Sequence, residues 1–234
     1  MSWCLVVQTC ACGATGSADA NSPAESAAGL PEACKAEAGE EPALTIDDFE
    51  DGDLLLDART TLHGVWYLNN DGTGTQSPAP ASDLSAAALL ESPGSPESPA
   101  HALHTSGSGF SAWGAFTAVR LNSARAHACT FDLSRYTGIE LSVKGTGGLR
   151  LNTGTVATTP VVDGGECHSD RCSDFGQHLE LSSEWSHVSV AFEDLSQPDW
   201  AEKSAWQPER ALRLSFWAEG ADFDLWLDDL RFYR

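Results

Sequence analysis

The chain has 234 residues, of which 13 are Lys or Arg and 34 are Asp or Glu, giving a formal charge of −21. That carboxylate surplus argues against non-specific binding to nucleic acid or anionic membrane, which needs clustered Lys and Arg. No apolar run reaches the roughly 18 residues that mark a transmembrane helix. Eight Trp, nine Phe and three Tyr can supply a core, and 21 Gly with a single Met favour strands and turns over a helical bundle.

Residues 1–13, MSWCLVVQTCACG, carry a short apolar stretch with no basic residues before it. This reads as the remnant of an export or lipoprotein signal whose start lies upstream. Residues 14–43 are rich in Ala, Gly, Ser, Glu and Pro, with almost no large apolar side chain. Such a segment cannot bury enough surface to offset its ordering entropy, so residues 1–43 are expected to be a disordered tether. The folded unit is then 44–234. It opens with the acidic run IDDFEDGD at 46–53. Trp66 and Tyr67 follow, before an Asn69–Gly72 turn, and could stand at a groove edge. Residues 72–99 form a low-complexity stretch that reads as a long surface insertion. A helical turn is expected in it over 83–91, with Asp83 as cap.

Beyond the insertion the pattern has period two. Ile139, Leu141 and Val143 alternate with Glu140, Ser142 and Lys144, and Leu149 and Leu151 with Arg150 and Asn152. Leu179 and Leu181 alternate with His178 and Glu180, and Val188, Val190 and Phe192 with His187, Ser189 and Ala191. Leu212, Leu214 and Phe216 alternate with Arg213, Ser215 and Trp217, and Phe223, Leu225 and Leu227 with Asp224, Trp226 and Asp228. Gly145–Gly148, Asp163–Gly165 and Gly220 read as turns between these runs, the first as a hairpin. Many short strands with one apolar face each predict an all-β fold, an antiparallel two-sheet β-sandwich.

Two constellations carry chemistry. The first is acidic: IDDFEDGD opens the domain and LDDLRFY closes it. First and last strands of a sandwich can pair, which would bring Glu50 and Asp228 together as calcium ligands; a hard cation wants oxygen donors. The second is aromatic. Trp217 shares parity with Arg213 and Ser215, not with the apolar positions, so its indole is either covered by a loop or offered to a ligand. A flat indole stacks on the C–H face of a sugar while neighbouring polar groups bond the hydroxyls. Arg150, Asn152 and His187 could share that face. Trp226, beside the acidic pair, is expected to be covered, and Trp185 to be core. Catalytic signatures are thin: Ser111 lies in GFSAWG and not in a G-x-S-x-G elbow, and no P-loop occurs. No enzyme is expected. Cys167 and Cys172 could close a disulfide loop, bind zinc with His168 and Asp174, or remain free.

The blocks IDDFEDGD, GFSAWG, GIELSVKG, SSEWSHVSVAFEDL and FDLWLDDLRF occur in the order found in carbohydrate-binding modules with a galactose-binding-like β-jelly roll. The chain resembles the family-11 type, and similar domains of secreted or lipoprotein-like proteins of myxobacteria, over about residues 44–234. The resemblance implies a concave sheet that holds a polysaccharide or oligosaccharide. It implies a structural Ca2+ held by Asp228 and a carboxylate of the opening DFE, Glu50 with Asp48 beside it. It makes Trp217 the sugar platform and favours Cys167–Cys172 as a disulfide, since GGECHSDRCSDFG resembles a version with paired cysteines. The reading is a non-catalytic, extracytoplasmic glycan binder, secreted or surface-anchored. Sugar would stack on Trp217, with Trp66 or Trp113, and bond to Arg150, Asn152 and Arg213. The alternative is a cell-envelope sandwich whose partners are proteins.

Overall fold

The computed structural model describes residues 43–56, 62–124 and 127–234. Apart from Ala43, the expected tether and its cysteines Cys4, Cys10, Cys12 and Cys34 lie outside the described residues. The strands are β1 (Ala43–Asp47), β2 (Trp66–Asn70), β3 (Thr75–Ser77), β4 (Leu90–Glu91), β5 (Ala102–Ser108), β6 (Ala115–Arg120), β7 (Asn122–Ala124), β8 (His127–Cys129), β9 (Gly138–Thr155), β10 (Phe175–Leu179), β11 (Ser186–Ala191) and β12 (Ala211–Tyr233). One short helix, α1 (Ala86–Leu89), precedes β4.

Two long strands organise the fold. β9 and β12 run antiparallel along their whole length, from Gly138 opposite Tyr233 to Thr155 opposite Ala211. Their register slips between Glu219 and Asp224, and there both strands bend. Beyond the bend each strand has new neighbours. Residues 149–153 of β9 pair with β10, and residues 213–218 of β12 pair with β6, which pairs with β2. Residues 138–143 of β9 pair with β11, while the end of β12 pairs with β5 and then with β1. Hydrogen bonding therefore runs continuously through one ten-stranded sheet, which folds over into a front layer (β10-β9-β12-β6-β2) and a back layer (β11-β9-β12-β5, with β1). β1 meets β12 with Ala43 opposite Tyr233, the expected pairing of first and last strands.

Gly164 and Gly165 lie in a turn as expected, but Gly145–Gly148 and Gly220 are bends inside the strands β9 and β12. Gly147 has φ +96°, and a Cβ there would stand 2.9 Å from Asp222 O, so only glycine lets the strands cross so closely. A hairpin and a bend need the same permissive residue, so local sequence does not separate them. GFSAWG is likewise a bend, and β6 starts just after it. Between the layers, Leu149, Leu151, Leu214 and Phe216 meet Leu141, Val143, Leu225, Leu227 and Phe232, all buried.

The segment 72–99 is not a bare surface insertion. It supplies β3 and β4, which both pair with β5, and it buries Leu89 and Leu90. The helical turn spans only Ala86–Leu89, with Ser85 and not Asp83 at its N-cap.

Trp66 belongs to the interior, with only 1% of its surface exposed. Its ring packs 5.5 Å from Phe49 and 6.1 Å from Phe216. Its Nε1–H donates to Asp47 Oδ2 at 2.8 Å, while the Phe49 N–H donates to Asp47 Oδ1 at 2.8 Å and holds Phe49 at φ +54°. Burial pushes the Asp47 carboxyl up to about 8, against the pull of those two donors. The unfolded chain would release this proton near pH 4, roughly the value of a free Asp. The folded state thus holds the extra proton between about pH 4 and about pH 8, and its stability falls as pH rises across that window. The melting midpoint should drop between about pH 4 and about pH 8, and Asp47→Asn, which cannot titrate, should show a shallower drop. Identical profiles for the two proteins would contradict the assignment.

Candidate functional site

The outward face of the front layer is a grid set by strand register. One cross-strand row reads His178, Arg150, Trp217, Phe116 and Asn69 from β10 to β2. The next reads Gly176, Asn152, Ser215, Ala118 and Tyr67, and a third carries Arg213 opposite Arg120. Positions two apart on a strand share a face, so these rows face outward together about 7 Å apart. The 158–174 segment and the loop bearing Pro198 and Trp200 wall this face into a cleft of about 660 Å³.

One side of the cleft is aromatic. Trp217 stacks on Phe116 with centroids 4.9 Å apart and planes at 24°, and meets Trp113 at 5.2 Å. Its Nε1–H donates to Ser215 Oγ at 3.0 Å, which fixes the ring's orientation. Tyr67 stands edge-on to Phe116 at 6.0 Å. Trp113 is 43% exposed, and Trp200, on the loop, is 58% exposed.

The floor is polar. Arg213 donates to Asp174 Oδ2 through Nε at 3.1 Å and Nη2 at 2.9 Å, and Thr158 Oγ1 donates to Asp174 Oδ1 at 2.8 Å. Burial works against the Arg213 charge, but Asp174, Tyr67 and Asp163 more than offset it and hold its pKa above the ordinary value. Arg150 donates from Nε to Asn152 Oδ1 at 2.8 Å and from Nη2 to the Ser196 carbonyl at 2.5 Å. Burial depresses its pKa, with Glu219 and Asp174 pulling the other way. His178 Nδ1 meets Glu219 Oε2 at 2.9 Å. A Cβ at Gly176 would stand 2.1 Å from Asn152 Oδ1, so the missing side chain makes room for that amide.

Of the residues expected to touch sugar, Trp217, Arg150, Asn152, Arg213 and Trp113 all line this one cleft, and Tyr67 lines it with them. Trp66 does not: period-two parity on β2 turns it inward while Tyr67 turns out. His187 belongs to the back layer, 3.4 Å from Glu140. Trp226 is covered as expected, with His104 stacked at 4.0 Å and Lys144 Nζ 4.2 Å from its ring. Trp185 is not core; it is half-buried and edge-on to Trp226 at 6.5 Å. Phe116 and Trp200 carry no signal in the sequence that marks them for the cleft, and Asp174, considered there only as a zinc ligand, is instead the partner of Arg213. Phe116 is the register partner of Trp217, but register is a property of the folded sheet, and Trp200 sits in a loop with no periodic signal.

Cys167 and Cys172 form a disulfide, with S–S 2.03 Å, so zinc is overturned; Asp174 serves Arg213. The bridge ends directly before Ser173 and Asp174, which it helps place at the cleft. Cys129 is also disulfide-bonded.

The proposed calcium ligands have other partners. Glu50 Oε1 accepts the N–H groups of Ala100 at 2.9 Å and His101 at 3.4 Å. Asp228, fully buried, accepts the N–H of Ser95 at 2.7 Å and of Asp229 at 2.8 Å, and burial followed by the Asp229 charge pushes its carboxyl up to about 7. Asp229 accepts the hydroxyls of Ser95, Ser98 and Ser142. Asp48 Oδ1 accepts the Glu50 N–H at 3.3 Å. Among the described residues no group of three or more His, Cys, Asp or Glu is placed to hold a metal ion. Calcium wants about six to eight oxygens around it, and this set does not fit it.

No family model matches the sequence, and no curated protein matches it. Solved structures do share its fold. A family 30 carbohydrate-binding module aligns with TM-score 0.52 at 15% identity, over 81% of this chain and 97% of its own. A second structure of a family 30 module gives 0.51 at 14% identity, over 81% and 87%. A family 11 module from Clostridium thermocellum gives 0.48 at 12%, over 82% and 95%. At these identities the likeness to the family 30 modules is one of fold, the β-sandwich jelly roll.

Because a metal bound only to the native state raises stability by mass action, chelation distinguishes the two closures. EDTA should leave the melting midpoint unchanged; a fall of several degrees, reversed by added calcium, would show a bound cation.

Proposed function

We propose that the chain is a non-catalytic, extracytoplasmic glycan-binding sandwich whose ligand lies in the front-layer cleft. The observation that carries this reading is the aromatic side of Trp217, Phe116 and Trp113 facing a floor of hydrogen-bonding groups. A pyranose has apolar C–H faces and an equatorial belt of hydroxyls. Indole stacking serves the first, and Arg150, Asn152 and the Arg213–Asp174 pair serve the second. The name of the family 30 structures, carbohydrate-binding modules, agrees with this use of the fold.

A binding role fits the carboxylates better than catalysis does. A glycosidase needs two carboxyl groups free to act on the glycosidic bond. Here Asp174 is held by Arg213 and Glu219 by His178. The Cys167–Cys172 bridge supports an oxidising compartment, where disulfides persist. Polysaccharide or oligosaccharide is therefore the partner assigned to the cleft, and no calcium is assigned to the fold.

Affinity electrophoresis on a polysaccharide panel tests the reading. At least one polysaccharide should retard the protein, and Trp217→Ala should weaken binding about tenfold or more, equivalent to about 1.4 kcal/mol. No retardation on any polysaccharide would overturn the assignment.

A further inference from the structure

Among the described residues, Arg213 is paired with Asp174, Arg210 with Glu166 and Arg231 with Glu140. In a chain with 34 acids and 13 Lys or Arg, such pairing is easily found. Two cleft arginines lack it. Arg150 bonds neutral acceptors, the Asn152 amide oxygen and the Ser196 carbonyl, and its Nη1 stands 3.5 Å from His178 Nε2. The side chain of Arg120, half-buried at the end of β6, has no hydrogen bond or ion pair among the described residues, yet it lines the cleft. The carboxylates that face them are engaged elsewhere: Asp174 and Asp163 on Arg213, and Glu219 on His178.

Strand register sets an aromatic residue close to each of these arginines. Arg150 is the direct cross-strand neighbour of Trp217. Arg120 lies two residues past Ala118, the partner of Tyr67, and its charge acts on the Tyr67 hydroxyl. The two arginines are separated by two strands and four positions, roughly 16 Å at the backbone by ordinary strand geometry. One anionic group does not reach both.

From this arrangement we infer that the cleft takes an anionic glycan, with sugar units stacked on Trp217 and Tyr67 and their carboxylate or sulfate groups on Arg150 and Arg120. This rests on the glycan reading above and names the class of sugar. A guanidinium offers a planar fork of donors that matches a carboxylate or sulfate edge, whereas a neutral hydroxyl uses only one of them. The chain's overall charge repels a polyanion at long range, but fields between exposed charges are screened beyond about 8 Å at physiological salt. Contact pairing then decides, and short oligosaccharides are the suitable probes.

The test is calorimetric titration of the full chain with a galacturonate hexamer, its carboxyl-reduced neutral counterpart and a sulfated form of that neutral hexamer. At least one charged form should bind tenfold or more tightly than the neutral one, and the tighter form identifies the anion. Arg120→Gln and Arg150→Gln should each shrink that ratio threefold or more, with Arg→Lys at the same position restoring part of it. Should a variant fail to fold by circular dichroism, the wild-type ratio alone decides. Equal affinity for charged and neutral hexamers, or binding only to neutral glucans, overturns the anionic assignment and leaves the glycan reading standing. Failure to bind any hexamer or any polysaccharide removes both.

Discussion

β9 and β12 pair along their whole length, and the bend they share is the constraint on which the rest of the molecule depends. Because both strands pass from one layer into the other, neither layer can form without them. Their second and first halves, respectively, place Arg150, Asn152, Arg213 and Trp217 on adjacent strands in fixed register. Strand register has a period of two, so a slip of one residue would send the Trp217 ring into the core and Phe216 out to the cleft. The cleft and the core are therefore specified by the same hydrogen-bond ladder.

Carboxylates at the domain's closing edge take main-chain N–H groups and serine hydroxyls as partners. Asp47, Glu50 and Asp228 each accept main-chain N–H groups, and Asp229 accepts serine hydroxyls. A buried carboxylate without a cationic partner is costly unless donors surround it or it takes a proton, and Asp47 and Asp228 do both. The Ser- and Pro-rich stretch around residue 95, which carries no periodic signal, thereby acquires a structural task. In the cleft Arg213 has Asp174 as its partner, whereas Arg150 bonds only neutral acceptors although the chain is rich in acids. Guanidinium charge is expensive to desolvate, so its placement on the strand next to Trp217 bears on what the cleft is built to receive.

Alternation of apolar and polar residues was enough to read the all-β class, the antiparallel sandwich and the parity of Trp217 and Arg213, because a strand's side-chain period is a local property. It also set apart Trp217 and Trp226, the indoles that depart from the apolar stripe. The same information could not tell that Trp226 is sandwiched between His104 and Lys144 whereas Trp217 lines a cleft; both share the parity, and the difference is what other strands bring beside them. Trp66 and Tyr67 show the converse limit, since adjacent aromatics on a strand must face opposite ways and only the packing partners decide which faces in.

What the sequence by itself determined is the alternating strand pattern, the overall acidity, and the roster of polar and aromatic groups available to a sugar. Only the tertiary structure decided that Gly145–Gly148 is a bend instead of a hairpin, that Trp200 and Asp174 reach the same cleft as Trp217, and that Glu50 and Asp228 take N–H groups as partners. The physical reason is that local pattern fixes which face a side chain occupies. Which residues meet across that face depends on pairing between segments distant in the chain, and loop positions carry no period from which such meetings could be read.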